Sequence, residues 1–242
     1  MQDNQQQAYD RGITIFSPDG RLYQVEYARE AVERGSATVG VRTPSGVVLA
    51  ADRRARSPLI ERDSIEKIHA VDDHIAVASA GHVADARQLV DFARRQAQLD
   101  QLRYDEAIGV ETLTKRVTDH IQQYTQTGGA RPFGVALLVA GIEDGEPRLF
   151  ETDPSGTPYE WQAVAIGGGR DEMQSFLEEE YQAEMDLSGG VDLALEALSV
   201  DADVDAAGVN VVTVDVESGT VDTLSDDEVG AHVEELDLGG EE

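Results

Sequence analysis

The chain has 242 residues, with 48 acidic and 19 basic side chains, a formal net charge of −29, 40% hydrophobic residues and no cysteine. That length and apolar content can fill one large packed domain. The charge excludes a phosphate-neutralising nucleic-acid binder, and the lack of cysteine excludes disulfides and thiolate metal sites and fits a cytosolic setting.

The chain opens on a polar lead, residues 1 to about 8, whose chemistry is wrong for a signal peptide. No later run approaches the roughly 18 to 20 apolar residues of a membrane span. Ser17-Pro18-Asp19-Gly20 reads as a tight turn, since proline presets φ and glycine tolerates positive φ. Beyond it Leu22, Val25, Tyr27/Ala28 and Val32 recur at helical spacing and Gly35 ends the run, which predicts a helix over about 20–34. Strands are predicted at Ala37–Arg42 and Val47–Asp52 around a Thr43–Gly46 turn, and at Lys67–Val71 and His74–Ser79. Two helices follow, about Val83–Gln98 and one carrying Val110, Leu113, Val117, Ile121 and Tyr124 on one face. A second strand set is predicted at Phe133–Ile142, Arg148–Thr152 and Glu160–Ile166. Then come helices at about Asp171–Glu184 and Ser188–Leu198, strands Val209–Val216 and Val221–Leu224, and a closing helix Asp226–Leu236. Antiparallel strand pairs separated by helix pairs suggest two stacked sheets covered by helices, an α+β architecture.

The run from Tyr9 to Ala31 resembles the amino-terminal signature of proteasome α-subunits, and the likeness extends over about residues 8 to 238. The resemblance implies the four-layer αββα sandwich of the amino-terminal-nucleophile hydrolases. It also implies one α-type domain over 1–242, with a flexible gate tail at 1–12 and an acidic helix and tail at 225–242. In that family the positions of Tyr9, Asp10, Arg11, Pro18 and Tyr27 belong to a cluster around the ring axis that holds the tail in an open-pore state. On their own Tyr9 and Tyr27 also read as ordinary, partly buried aromatics.

Ser36 is the sharpest enzymatic temptation. Amino-terminal-nucleophile hydrolases cut before a Thr, Ser or Cys and use the freed amine as general base. Ser36–Val41 and Val47–Arg54 resemble the opening strands of catalytic proteasome β-subunits, with Asp52 and Lys67 near the positions of their acid and lysine. Cleavage at Ser36 would discard the segment with the best family match, so no catalytic residue is assigned.

The family resemblance gives Lys67 a different role. There the corresponding lysine lines a pocket between adjacent subunits and binds the terminal carboxylate of an activator's tail, while the glycine matching Gly81 lets the tail approach. A solvated strand lysine is the plainer alternative, and His82 stands where an aliphatic residue is expected. The segment Thr125, Gln126, Thr127, Gly128, Gly129, within a Gly-Gly-x-Arg-Pro-Phe-Gly run, looks like the family's channel-narrowing loop; a plain helix-ending loop is the alternative. Gly167-Gly168-Gly169 lacks dinucleotide-site spacing, and the five histidines show no metal-ligand spacing, so neither cofactor nor metal is expected.

The function implied is a non-catalytic subunit of a cytoplasmic, seven-membered α-ring that stacks on β-subunits carrying catalytic threonines. The ring would gate entry of unfolded protein substrates and dock an AAA ATPase through its C-terminal tails. The competing readings are a self-processing hydrolase using Ser36 and a free-standing binding module. Lys67 and Lys115 are the two lysines among 19 basic residues, and the acids are spread along the whole chain. That pattern fits a protein kept soluble in brine by an acidic surface.

Overall fold

The computed structural model of the chain describes residues 15–55, 57, 59–128, 130–201 and 203–238. The first described feature is the predicted turn. Gly20 N–H donates to the Ser17 carbonyl at 2.9 Å with φ at 76°, and Ser17 Oγ accepts the Arg21 amide at 3.1 Å. Helix α1 (Tyr23–Glu33) leaves this turn and buries Val25, Ala28 and Val32 along one stripe.

Strands β1 (Thr38–Thr43) and β2 (Gly46–Asp52) form a hairpin, followed by β3 (Ile68–Asp72) and β4 (Ile75–Gly81). Helices α2 (Val83–Tyr104) and α3 (Val110–Gln126) come next, then β5 (Val135–Glu143), β6 (Glu146–Thr152), β7 (Pro158–Glu160) and β8 (Ala163–Ile166). Helices α4 (Arg170–Glu180) and α5 (Leu187–Ser199), strands β9 (Val209–Asp215) and β10 (Val221–Thr223), and helix α6 (Asp226–Glu235) complete the described order. The strands make two five-stranded sheets, β10-β9-β2-β1-β8 and β3-β4-β5-β6-β7, and every pairing is antiparallel.

Strand periodicity sorts the side chains into three apolar layers. On β5, Val135, Leu137 and Val139 face α2 and α3, while Ala136, Leu138 and Ala140 face the other sheet. On β2, Val48 and Ala50 face α4 and α5, while Val47 and Leu49 point into the space between sheets. The result is helices, sheet, sheet, helices: the αββα sandwich expected. A buried hydrogen bond from Thr38 Oγ1 on β1 to the Ser79 carbonyl on β4, 3.1 Å, ties the two sheets together.

Three expectations about these elements need correction. The helix predicted over about 171–184 ends at Glu180, where Tyr181 turns to extended backbone and its hydroxyl donates to the Arg42 carbonyl at 3.0 Å. The strand predicted over 160–166 is two short strands in different sheets. Trp161 N–H still donates to Leu149 of β6 at 2.9 Å, whereas the Gln162 carbonyl accepts Arg42 N–H of β1 at 2.7 Å, so the chain changes sheet between these residues. Helix α2 runs to Tyr104, past the predicted end at Gln98. Its last turns are held on α3 by Arg116, whose guanidinium forks onto the buried Asp100 carboxylate at 2.7 and 3.0 Å. Among the described residues no helix is long and apolar enough to cross a membrane.

Candidate functional site

The start of β1, the end of β2, the residue before β3 and the end of β4 meet at one end of the sandwich. Antiparallel pairing places them there: Thr38 faces Ala51, and Ile68 faces Ala78. Lys67 is only 9% exposed, and its ammonium donates to the Ser36 carbonyl at 2.9 Å and to Ser36 Oγ at 2.5 Å. Ser36 itself lies at the surface. Its hydroxyl donates to the Asp52 main-chain carbonyl at 3.1 Å. Burial pulls the Lys67 amine down to about 8, against the opposing charge of Asp52.

The sequence-predicted trio of Ser36, Asp52 and Lys67 is therefore brought together, but Asp52 is turned away. Its carboxylate accepts from Arg54 Nε at 2.9 Å, Arg54 Nη2 at 2.7 Å and the Arg54 amide at 2.8 Å. Burial opposes its ionisation, and these bonds outweigh burial and hold the carboxyl below its ordinary value.

Gly81 lies beside this cluster, with φ at 116°. A Cβ there would strike the Gly134 carbonyl, and one on Gly35 would strike the Gly81 amide, so the backbones at 35, 81 and 134 touch in a way only glycine permits. Gly35 leads directly into Ser36, so one stretch of main chain touches both Gly81 and Lys67. His82 follows as the residue before α2, its side chain 58% exposed.

Asp85, in the first turn of α2, is buried and takes both Nη atoms of Arg131 (2.5 and 2.7 Å) and the Gly134 amide (2.9 Å). Burial works against its charge, but Arg131 and the Gly134 amide hold its carboxyl below the ordinary range. This clamp fixes the loop entering β5, and nothing in the sequence marked it.

Of the gate candidates, Tyr9, Asp10 and Arg11 lie outside the described residues. Pro18 is exposed in the turn before α1, and Tyr27 is 45% exposed on α1. In the 125–129 segment a correction is due: Thr125 and Gln126 are the last helical residues of α3 and not part of a loop. Thr125 is buried, with Oγ1 donating to the Gln122 carbonyl at 2.7 Å. Thr127 Oγ1 bonds back to the Gln123 carbonyl at 2.7 Å, Gly128 sits in open space and Gly129 lies outside the described residues. A shallow cavity of about 220 Å³ lined by Phe16, Leu22, Val25, Arg29, Thr125 and Ser155 brings the turn before α1 against the end of α3. Arg29 also bonds the Asp153 carboxylate at 2.7 and 3.2 Å, anchoring α1 to the loop after β6.

Residues 32–216 match the model of the family described as proteasome subunit, and residues 9–31 match the N-terminal signature of A-type proteasome subunits. The chain belongs to the proteasome subunit family. The signature and the relatives place it on the α-type branch. It is 74% identical to "Proteasome subunit alpha 2" of Haloarcula marismortui over all of both chains. It is 70% identical to "Proteasome subunit alpha" of Natronomonas pharaonis, over 97% of this chain and 93% of the relative. "Proteasome subunit alpha 1" of Haloferax volcanii is 66% identical, over 97% of this chain and 94% of the relative. Haloarcula marismortui also has a "Proteasome subunit alpha 1", 69% identical to this chain over 97% of it and 91% of the relative. These relatives are haloarchaeal, which agrees with the acidic, nearly lysine-free composition of this α-type chain.

Proposed function

We propose that this chain is a non-catalytic subunit of the outer, heptameric α-ring of a cytoplasmic 20S proteasome core particle. In this reading it stacks on β-subunits with threonine nucleophiles, gates entry of unfolded chains through its amino-terminal segment and docks an activating AAA ATPase at Lys67 and Gly81. One observation carries the non-catalytic part: α1, directly ahead of Ser36, is built into the fold. Val25, Ala28 and Val32 are buried, and Val32 lies in the layer between the sheets. Cutting before Ser36 would remove these side chains, and burying each of the two valines is worth about 1.5–3 kcal/mol.

The convergence of Ser36 and Lys67 favours the self-processing hydrolase as the second reading. Against it, the Ser36 hydroxyl already gives its proton to the Asp52 carbonyl, and the Asp52 carboxylate is engaged by Arg54. Native mass spectrometry of the particle purified with its β partner tests the two. The proposed role predicts rings of seven α-type chains that each retain α1. A chain beginning at Ser36 would reverse the assignment.

A further inference from the structure

An ammonium has three N–H donors, and Ser36 takes two of those on Lys67, through its carbonyl and its hydroxyl oxygens. A hydroxyl can accept from an ammonium when its own proton is aimed elsewhere. The Ser36 proton is so aimed, at the Asp52 carbonyl 3.1 Å away. One residue therefore grips the ammonium with both its oxygens, and the end of β2 sets the rotamer of that grip. The third N–H of Lys67 has no partner among the described residues.

Charge follows the same logic. Both acceptors on Ser36 are neutral, so the grip itself brings no opposite charge to the Lys67 ammonium. The nearby carboxylate, Asp52, is bound by Arg54 and acts on Lys67 through its field. The group is thus a fixed cation with one donor to spare, lying beneath a surface serine.

We propose that Ser36 is the positioning residue of a carboxylate-binding site at Lys67: its carbonyl and its hydroxyl oxygen, the hydroxyl held in turn by the Asp52 carbonyl, aim the remaining N–H of the ammonium at the terminal carboxylate of a docking peptide. This rests on the reading of Lys67 as the docking cation and adds the residue that gives that cation its direction. Because burial already brings Lys67 to about 8, losing the hydroxyl acceptor lowers it further. Binding then fails at a lower pH than in the unaltered particle. A residue that only filled space would change affinity without moving that pH.

The test uses the assembled particle in molar salt and a fluorescent peptide of the last ten or so residues of the cognate AAA ATPase. The peptide is made with a free terminal carboxylate and, as control, with a terminal amide, and anisotropy is read from about pH 6 to 9. The carboxylate form is expected to bind and to be lost as pH rises through about 8, with the amide binding weakly throughout. Ser36→Ala is expected to weaken binding about tenfold near neutral pH and to move the midpoint down by about one pH unit. Ser36→Thr, which keeps the hydroxyl, restores both. If Ser36→Ala particles do not assemble, Ser36→Cys, a much weaker acceptor, carries the same comparison. Lys67→Ala separates the two ideas. If it abolishes binding while Ser36→Ala leaves the midpoint unmoved, the positioning role is overturned and the docking reading stands. If Lys67→Ala binds like the unaltered particle, the docking reading itself fails.

Discussion

The guanidinium of Arg131 forks onto the buried carboxylate of Asp85, 46 residues earlier in the chain, and the same carboxylate takes the Gly134 amide. The start of α2 and the start of β5 are thereby locked together beside Gly81. Because ionised Asp85 is favoured in the fold, its contribution to stability is full above its ordinary value of 3.8 and is lost as pH falls through its lower folded value. Asp85→Asn is expected to cost about 1–2 kcal/mol at neutral pH, at the modest end because Arg131 is 58% exposed. It should also flatten the loss of stability below about pH 4. Denaturant unfolding of both proteins at neutral and acid pH checks this; equal acid limbs would assign the pH dependence to other carboxylates.

Arg170 on α4 makes a second cross-connection. It reaches from the helices over one sheet to Glu151 on β6 of the other, at 2.7 and 3.1 Å, where the carboxylate is 3% exposed. Arg170→Ala leaves that charge buried without its partner, at an expected cost of about 3 kcal/mol. Arg170→Ala combined with Glu151→Leu should recover much of the loss, since an apolar side chain there needs no partner. Thermal unfolding in molar salt of the single and double variants decides it; a double variant no better than the single would place the damage in packing.

Processing is checked by mass. With Val25, Ala28 and Val32 packed in the fold, the mature chain is expected to keep residues 15–35 intact. Intact-mass measurement of native particles reads this directly.

Gating is tested by deletion. Removing residues 2–12, which precede the turn at Pro18, is expected to raise entry of peptides and unfolded chains several-fold without activator, with folded proteins still excluded. Peptide turnover by the truncated, fully assembled particle measures it, and an unchanged rate would remove the gate role from this segment.

Salt dependence follows from the charge of −29. The screening length falls from about 10 Å at 0.1 M to about 3 Å at 1 M, so repulsion within and between subunits grows sharply on dilution. Rings are expected to dissociate or unfold well below molar salt and to reform when it is restored. Analytical ultracentrifugation across a salt series follows this, and rings stable in dilute buffer would separate the acidity from brine.

By itself the sequence determined the elements, the layering and the family. The unbroken apolar runs of β2 and β5, the stripe Val25, Ala28, Val32 and the Pro18–Gly20 turn are local patterns, and local backbone geometry suffices to read them. The Tyr9–Ala31 run likewise carries its meaning in order along the chain. Tertiary structure decided what depends on distant backbones meeting. The strand predicted over 160–166 is divided because Leu149 and Arg42 claim adjacent residues for different sheets. The extra turns of α2 are held against α3 by Arg116 on Asp100, a contact between residues 16 apart that local pattern does not show. Lys67 was legible as a rare residue at a suggestive position. That its ammonium is gripped by Ser36, with Asp52 turned to Arg54, follows from the antiparallel register that brings residues 36, 52 and 67 to one end of the sandwich. Spacing along the chain carries no information about which oxygen an ammonium will meet there.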